Sequence, residues 1–307
     1  MKKSKKILII LLLIISLTGC TKVLKDKDGK PVINKETGQS MTENIVCKPT
    51  DKETIKIYEE NNVDLSKLPD CSNMKISGEY ENIWNSLFVR PLAFLIMKIR
   101  NLVSSSGLAI IIITLIIRLI LYPITRKTAM QSENLKKAQP EIDKIEKKYK
   151  DKTDNESVAM KGQEMMMIYK KYDINPLSGC IFAFLQIPLL FAFLEAINRV
   201  PAIFEEKFLF FQMGTTPWIA LKNGEWVYLI LIILILLTTY FSFKMNQSTN
   251  TSKEMEKQNK MMMYFMVVFI GFMSFQLSSA VAVYWIISSI FTIGQNIITD
   301  KLMKNKR

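Results

Sequence analysis

The chain contains no histidine. That absence excludes a Ser-His-Asp triad, a histidine-ligated zinc site and a haem held by histidine. No GxxxxGK(S/T) phosphate loop and no GxGxxG turn occurs, so nothing resembles a nucleotide-hydrolysing motor, and neither enzymatic activity nor a cofactor nor a metal is expected. Acidic residues are outnumbered, 28 Asp and Glu against 41 Lys and Arg, for a formal charge of +13. Nucleic acid is one reading of that charge, but no zinc-finger spacing, RNP pattern or base-reading basic helix accompanies it. Membrane orientation accounts for it better. Internal repeats, the mark of many transporter folds, are also lacking.

What is present is apolar surface. Hydrophobic residues make up 49% of the 307, with 18 Met and 17 Phe, which is too much for an ordinary soluble domain. The chain reads as an all-α, polytopic membrane protein. It opens with "MKKSKKILIILLLIISLTGC", four lysines and an apolar core from Ile7 to Leu17 that is short for a span. Residues 1–19 therefore read as a signal peptide. Its ending, "LTGC", resembles a bacterial lipoprotein cleavage box, which makes Cys20 the lipidation site and places the new N-terminus at the outer face. Residues 20–82 turn polar and charged and read as an extracytoplasmic linker with at most a small folded patch. Cys47 and Cys71 lie in it; a disulfide persists in an exported segment, and two free thiols are the other state. Cys180, inside an apolar run, reads as a small buried hydrophobe.

Residues 83–103 mix apolar clusters with Asn85, Arg90, Lys98 and Arg100, carry Trp84 and contain Pro91. That is the pattern of an amphipathic helix lying in the interface. Within the core, 104–300, five spans are expected, at about 107–125, 177–197, 226–243, 261–277 and 281–298, the last two forming a tight helical hairpin. Lys and Arg number twelve in 126–173, four in 244–260 and four in the basic tail 301–307, against three in 198–225. The positive-inside rule then puts the N-terminus outside and the C-terminus in the cytoplasm. The 126–173 segment is no slack loop. Leu135, Ala138, Ile142, Ile145 and Tyr149 form one apolar stripe and Val158, Met165, Ile168 and Tyr172 another, which predicts a cytoplasmic helical hairpin, with Pro140 kinking or restarting its first helix.

Polar groups inside the spans are few. Arg118 sits in "TLIIRLILYP", where a guanidinium costs roughly 2.5 to 3.5 kcal/mol on insertion scales. Counting from cytoplasmic ends at Thr125 and Leu177, Arg118 lies about 10 Å and Gln186 about 14 Å deep, so they share a level. Thr114, Arg118 and Tyr122 form a stripe at four-residue spacing, and Ser288, Thr292 and Asn296 form another. Hydrogen bonds between packed helices explain such Ser and Thr residues. Arg118 is harder to explain, because no Asp or Glu lies in the central or cytoplasmic part of any span.

"GLAIIIITLIIRLILYPITRK", "QPEIDKIEKKYK", "NPLSGCIFAFLQIPLLFAF" and "AVAVYWIISSIFTIGQN" resemble, in order, the signature segments of the YidC/Oxa/Alb membrane-protein insertases. The resemblance runs from about residue 84 to 300. It departs from the family pattern in "SFQLSSAVAVYW", which lacks the usual Pro and Gly, and in "GCIFAF", which lacks a Pro after the Cys. The resemblance implies five helices around a hydrophilic groove open to the cytoplasm, with Arg118 as the groove arginine. Thr114, Gln186, Tyr284, Trp285, Ser288 and Thr292 would line it. It implies insertion and folding of nascent membrane proteins in the lipid bilayer by a monomer, driven by burial of an apolar segment and needing no ATP. Whether the ribosome or the Sec translocon takes part stays open. The competing class is a small transporter or channel with a cationic site for anions.

Overall fold

A computed structural model of the protein describes residues 22–76, 82–175, 178–246 and 253–304. The signal segment, Cys20, the side chain of Cys180 and the last three residues of the basic tail lie outside the described residues. The architecture is mostly helical. The principal helices are α1 (Lys52–Glu60), α2 (Arg90–Val103), α3 (Ser106–Lys148), α4 (Asn155–Lys171), α5 (Ser178–Arg199), α6 (Leu229–Asn246), α7 (Lys253–Ser274) and α8 (Ser279–Lys304). Two compact units divide the chain. One takes Met1–Ile117, Phe184–Ile235 and Gly271–Ser288; the other takes Arg118–Ala183, Leu236–Ile270 and Ser289–Arg307.

In the first unit, the segment expected to be a linker is folded. Antiparallel bridges pair Val23 with Thr42 and Ile33 with Ser40, and α1 closes over them. Asp51 caps α1 by accepting from Thr54 N at 2.8 Å. Leu24, Met41, Ile45 and Tyr58 form a small core, and the Tyr58 hydroxyl donates to Thr42 O. A disulfide joins Cys47 to Cys71, which decides between the two states left open by sequence. So few apolar residues suffice because the segment also docks on its own unit. Val46 N donates to Arg199 O at 2.9 Å, Thr216 N to Thr37 O at 2.9 Å, and Thr50 N to Glu205 at 2.9 Å. Gly38 is fixed twice over: φ is +72°, and a β-carbon there would stand 2.2 Å from Ile219.

The segment expected as an interfacial helix, 83–103, is helical. A π-helical turn (Asn85–Val89) leads into α2, placing Pro91 in the first turn, where its missing N–H is harmless. Trp84, Val89, Leu92, Ala93, Ile96 and Met97 are buried, while Ile83, Leu87, Leu95 and Leu102 are exposed.

Among the described residues, three helical segments are long and apolar enough to cross a membrane: Ser106–Lys127, Trp226–Met245 and Ser279–Leu302, with Lys260–Ser274 a shorter apolar helix. The segment expected to span 177–197 is helical as α5. α7 and α8 are joined by only four residues, 275–278, and this turn is held where Trp218 N donates to Phe275 O and Ser279 N to Thr215 O, both at 3.0 Å.

The second unit holds the helical hairpin. Ala138, Ile142, Ile145 and Tyr149 pack against Ile168 and Ile174, with Leu135, Met165 and Tyr172 alongside. Two corrections follow. Val158 is exposed and takes no part in the stripe. Pro140 does not restart the helix, because α3 runs unbroken from the first span through Pro123 and Pro140 to Lys148. An interior proline costs about 3 kcal/mol, which burial of the flanking Ala138, Ile142 and Ile145 offsets. Register is antiparallel: Lys148 Nζ and Tyr149 Oη both donate to Glu164, at 2.5 and 2.9 Å, and Lys171 Nζ and Tyr172 Oη to Glu141, at 2.5 and 2.7 Å. These partners hold both carboxyls below their usual range, the lysine dominating in each case.

Candidate functional site

The residues singled out from sequence fall into both units. Thr114, Gln186, Tyr284, Trp285 and Ser288 belong to the first, and Arg118 and Thr292 to the second. Thr114 and Arg118 are one turn apart on α3.

In the first unit, α3 begins on an apolar face that buries Ala109, Ile110 and Ile113. Thr114, on the same side, is buried and returns its hydroxyl proton to Ile110 O at 2.6 Å, satisfying a polar group that apolar surroundings would penalise. Gln186 of α5 donates from Nε2 to Tyr284 Oη at 3.2 Å. The Tyr284 ring is fully buried and stacks on Phe193, with centroids 4.0 Å apart. Trp285, about 100° further around the helix, is only half-buried, so the two aromatics do not share one environment. Ser288 is buried.

A buried ion pair in the same unit escaped the sequence reading. Glu195 accepts from Arg199 Nη2 at 2.7 Å and from Trp84 Nε1 at 3.0 Å, with Glu195 3% and Arg199 1% exposed. The i, i+4 spacing was the available signal; the third member, 111 residues away, gave none.

In the second unit, Arg118 is 5% exposed, and Thr125, Thr238, Thr239, Thr292, Gln295 and Thr299 are buried too. Thr125 Oγ1 and Gln295 Oε1 are hydrogen-bonded at 2.9 Å, joining α3 to α8. The buried polar stripe of α8 therefore continues from Thr292 through Gln295 and Thr299. The predicted Asn296 is only half-buried. Gln295 was missed because positions three and four residues on are both near-neighbours of the stripe, and only packing selects between them.

Residues 98–306 match the family described as 60Kd inner membrane protein. The chain belongs to the YidC/Oxa/Alb insertase family. It is 35% identical over 240 residues to a membrane protein insertase YidC of Oceanobacillus iheyensis, covering 76% of this chain and 90% of that relative. It is likewise 35% identical over 228 residues to a membrane protein insertase YidC 2 of Bacillus anthracis, covering 73% and 85%. A crystal structure of an active YidC insertase with its first transmembrane domain resolved shares the fold, with a TM-score of 0.52 at 20% identity over 80% of this chain. The chain spans 50% of the length of that structure's chain. Family and apolar helices together make this a multi-pass bacterial membrane protein. The folded segment 22–76 precedes the matched range.

Proposed function

We propose that the chain inserts integral membrane proteins into the bilayer and helps them fold. In this reading five spans border a hydrophilic groove that opens to the cytoplasm and laterally to lipid. Arg118 supplies its charge, and Thr114, Gln186, Tyr284, Trp285, Ser288 and Thr292 its polar and aromatic lining. The observation that carries the reading is Arg118 itself, 5% exposed inside a helical segment of mean hydropathy 2.5. A helix that served only as an anchor would gain nothing from so costly a group. The relatives named membrane protein insertase support the same activity.

Water in the groove keeps the guanidinium charged, and it attracts carboxylates of a translocating tail or loop for a short time. The substrate's apolar segment meanwhile leaves the aqueous side for lipid. Burying a helix of about 20 apolar residues supplies the drive, so no nucleotide is hydrolysed. Lipidated Cys20 holds the N-terminus outside, the C-terminus is cytoplasmic, and a single copy suffices. The test is reconstitution of the purified chain into liposomes without nucleotide, with matched short substrates whose exported tails carry or lack Asp and Glu. Arg118→Lys is expected to keep most activity and Arg118→Ala to lose it, most severely for the acidic tails. Equal losses for acidic and neutral tails, or an inactive Lys variant, would remove the charge-capture mechanism. Saturable anion flux without insertion would favour the transporter reading.

A further inference from the structure

The first unit contains an apolar projection that the insertion mechanism does not use. β1 (Lys207–Phe208) and β2 (Phe211–Gln212) form a short antiparallel hairpin with Leu209 and Phe210 at its tip. Leu209 is 74% and Phe210 77% exposed. The tip is not slack, since Leu209 is held at φ +55°, a conformation bulky side chains rarely adopt without support.

That support comes from the first turns of two spans. On one flank, Glu206 accepts from Ser106 N at 2.9 Å and from Arg100 Nε at 3.0 Å, placing a carboxylate at the N-terminus of α3. Next to it, the Phe208 ring lies directly over Gly107, where a β-carbon would meet it at 2.1 Å. On the other flank, Gln212 N donates to Tyr228 Oη at 2.9 Å, and Phe211 packs edge-on against Tyr228 with centroids 5.2 Å apart. Tyr228 lies in the first turn of the Trp226–Met245 segment. The hairpin is thus tied to the starting ends of two apolar segments, and its height relative to the bilayer is set by them. Trp226 and Trp218 of the same unit are exposed as well, and such aromatics settle at membrane interfaces.

We propose that the Lys207–Gln212 hairpin is a lipid-dipping finger that inserts Leu209 and Phe210 into the leaflet at which α3 begins. The occupant of this apolar tip is lipid, because both anchors hold it at the membrane boundary, where hydrocarbon is the nearest apolar phase. Its role is to fix the depth of the unit that carries Gln186 and Tyr284. The inference rests on reading α3 as a span that starts near Ser106.

The experiment places a nitroxide at Leu209→Cys or Phe210→Cys in a full-length Cys20→Ser/Cys180→Ser background, reconstituted in phosphatidylglycerol and phosphatidylethanolamine vesicles. Relaxation by oxygen and by a water-soluble nickel complex reports depth, with Asn223→Cys as an exposed reference and Leu119→Cys as a mid-span one. Labels at 209 and 210 are expected about 5–10 Å below the phosphates, with Asn223 in water. Aqueous labels at both 209 and 210 beside a deep Leu119 label would overturn the finger alone, and would transfer the tip to a soluble partner. An aqueous Leu119 label would overturn the finger together with the span on which it rests. Using two tip positions separately guards against one substitution disturbing the turn.

Discussion

Replacing Glu195 with Leu removes one member of a buried ion pair and leaves its partner in place. Arg199, 1% exposed, then keeps a full charge among apolar groups of the main core, and Trp84 Nε1 loses its acceptor at 3.0 Å. Breaking a buried pair from one side costs about 3–5 kcal/mol, most of it the desolvated charge left behind. Arg199→Met strands the carboxylate and is expected to cost a similar amount. The double variant, Glu195→Leu with Arg199→Met, strands neither charge and leaves the Trp84 N–H without its carboxylate, at about 1–3 kcal/mol. The backbone bond from Val46 N to Arg199 O survives all three changes, so docking of the 22–76 segment is not what the variants probe. Titration from mild detergent into SDS, followed by tryptophan fluorescence, gives the stabilities. The double variant should be more stable than either single one. Independent sites add to within about 0.5 kcal/mol. Additive losses, or a Glu195→Leu variant as stable as the parent, would refute the account of Glu195 and Arg199 as a mutually dependent buried pair.

Reducing the Cys47–Cys71 disulfide, or Cys47→Ser/Cys71→Ser, should destabilise the 22–76 domain by roughly 3 kcal/mol through loop-closure entropy. Limited proteolysis would then cut within 22–76 while the spans stay protected; unchanged protection would contradict this. Gly107→Ala drives a methyl into the Phe208 ring and is expected to cost about 1–3 kcal/mol in the same SDS titration. A neutral result would mean that the ring moves freely. For the helical hairpin of α3 and α4, Glu141 and Glu164 have carboxyls depressed by Lys171 and Lys148 first, and by the tyrosine hydroxyls second. Depressed folded values mean that the stabilisation is complete above the ordinary value of 4.5 and is lost as pH falls through the folded ones. Protection factors for amide exchange across α4, taken relative to the intrinsic rate at each pH, should therefore fall on acidification below that value, and Glu164→Gln should flatten the dependence. Protection factors indifferent to pH there would remove these bonds from the hairpin's stability.

Local spacing was enough to read much of this protein. The apolar runs that became α3, α6 and α8 were evident because a span needs only length and composition. The Leu135 to Tyr149 stripe followed from the period of 3.6, which fixes side without knowledge of the partner. Arg118 was conspicuous by chemistry alone, as a cation where lipid forbids one. The sequence could place it on a helix face but could not show that it is 5% exposed.

Tertiary structure decided whatever depended on a partner distant in the chain. Residues 22–76 have too few large apolar groups to announce a core, and fold because a disulfide and hydrogen bonds to residues 199, 205 and 216 complete them. Pro140 is a helix breaker by local rule, yet α3 passes through it, since packing across the hairpin outweighs one missing backbone bond. The choice of Gln295 over Asn296 and the meeting of Trp84 with Glu195 turn on a rotation of about 100° and a separation of 111 residues. The exposure of Leu209 and Phe210 has the same origin, because a hairpin tip acquires a fixed position only from the two helix ends that hold it. Hydrophobic period is a property of neighbours along the chain, whereas burial, pairing and register are properties of neighbours in space.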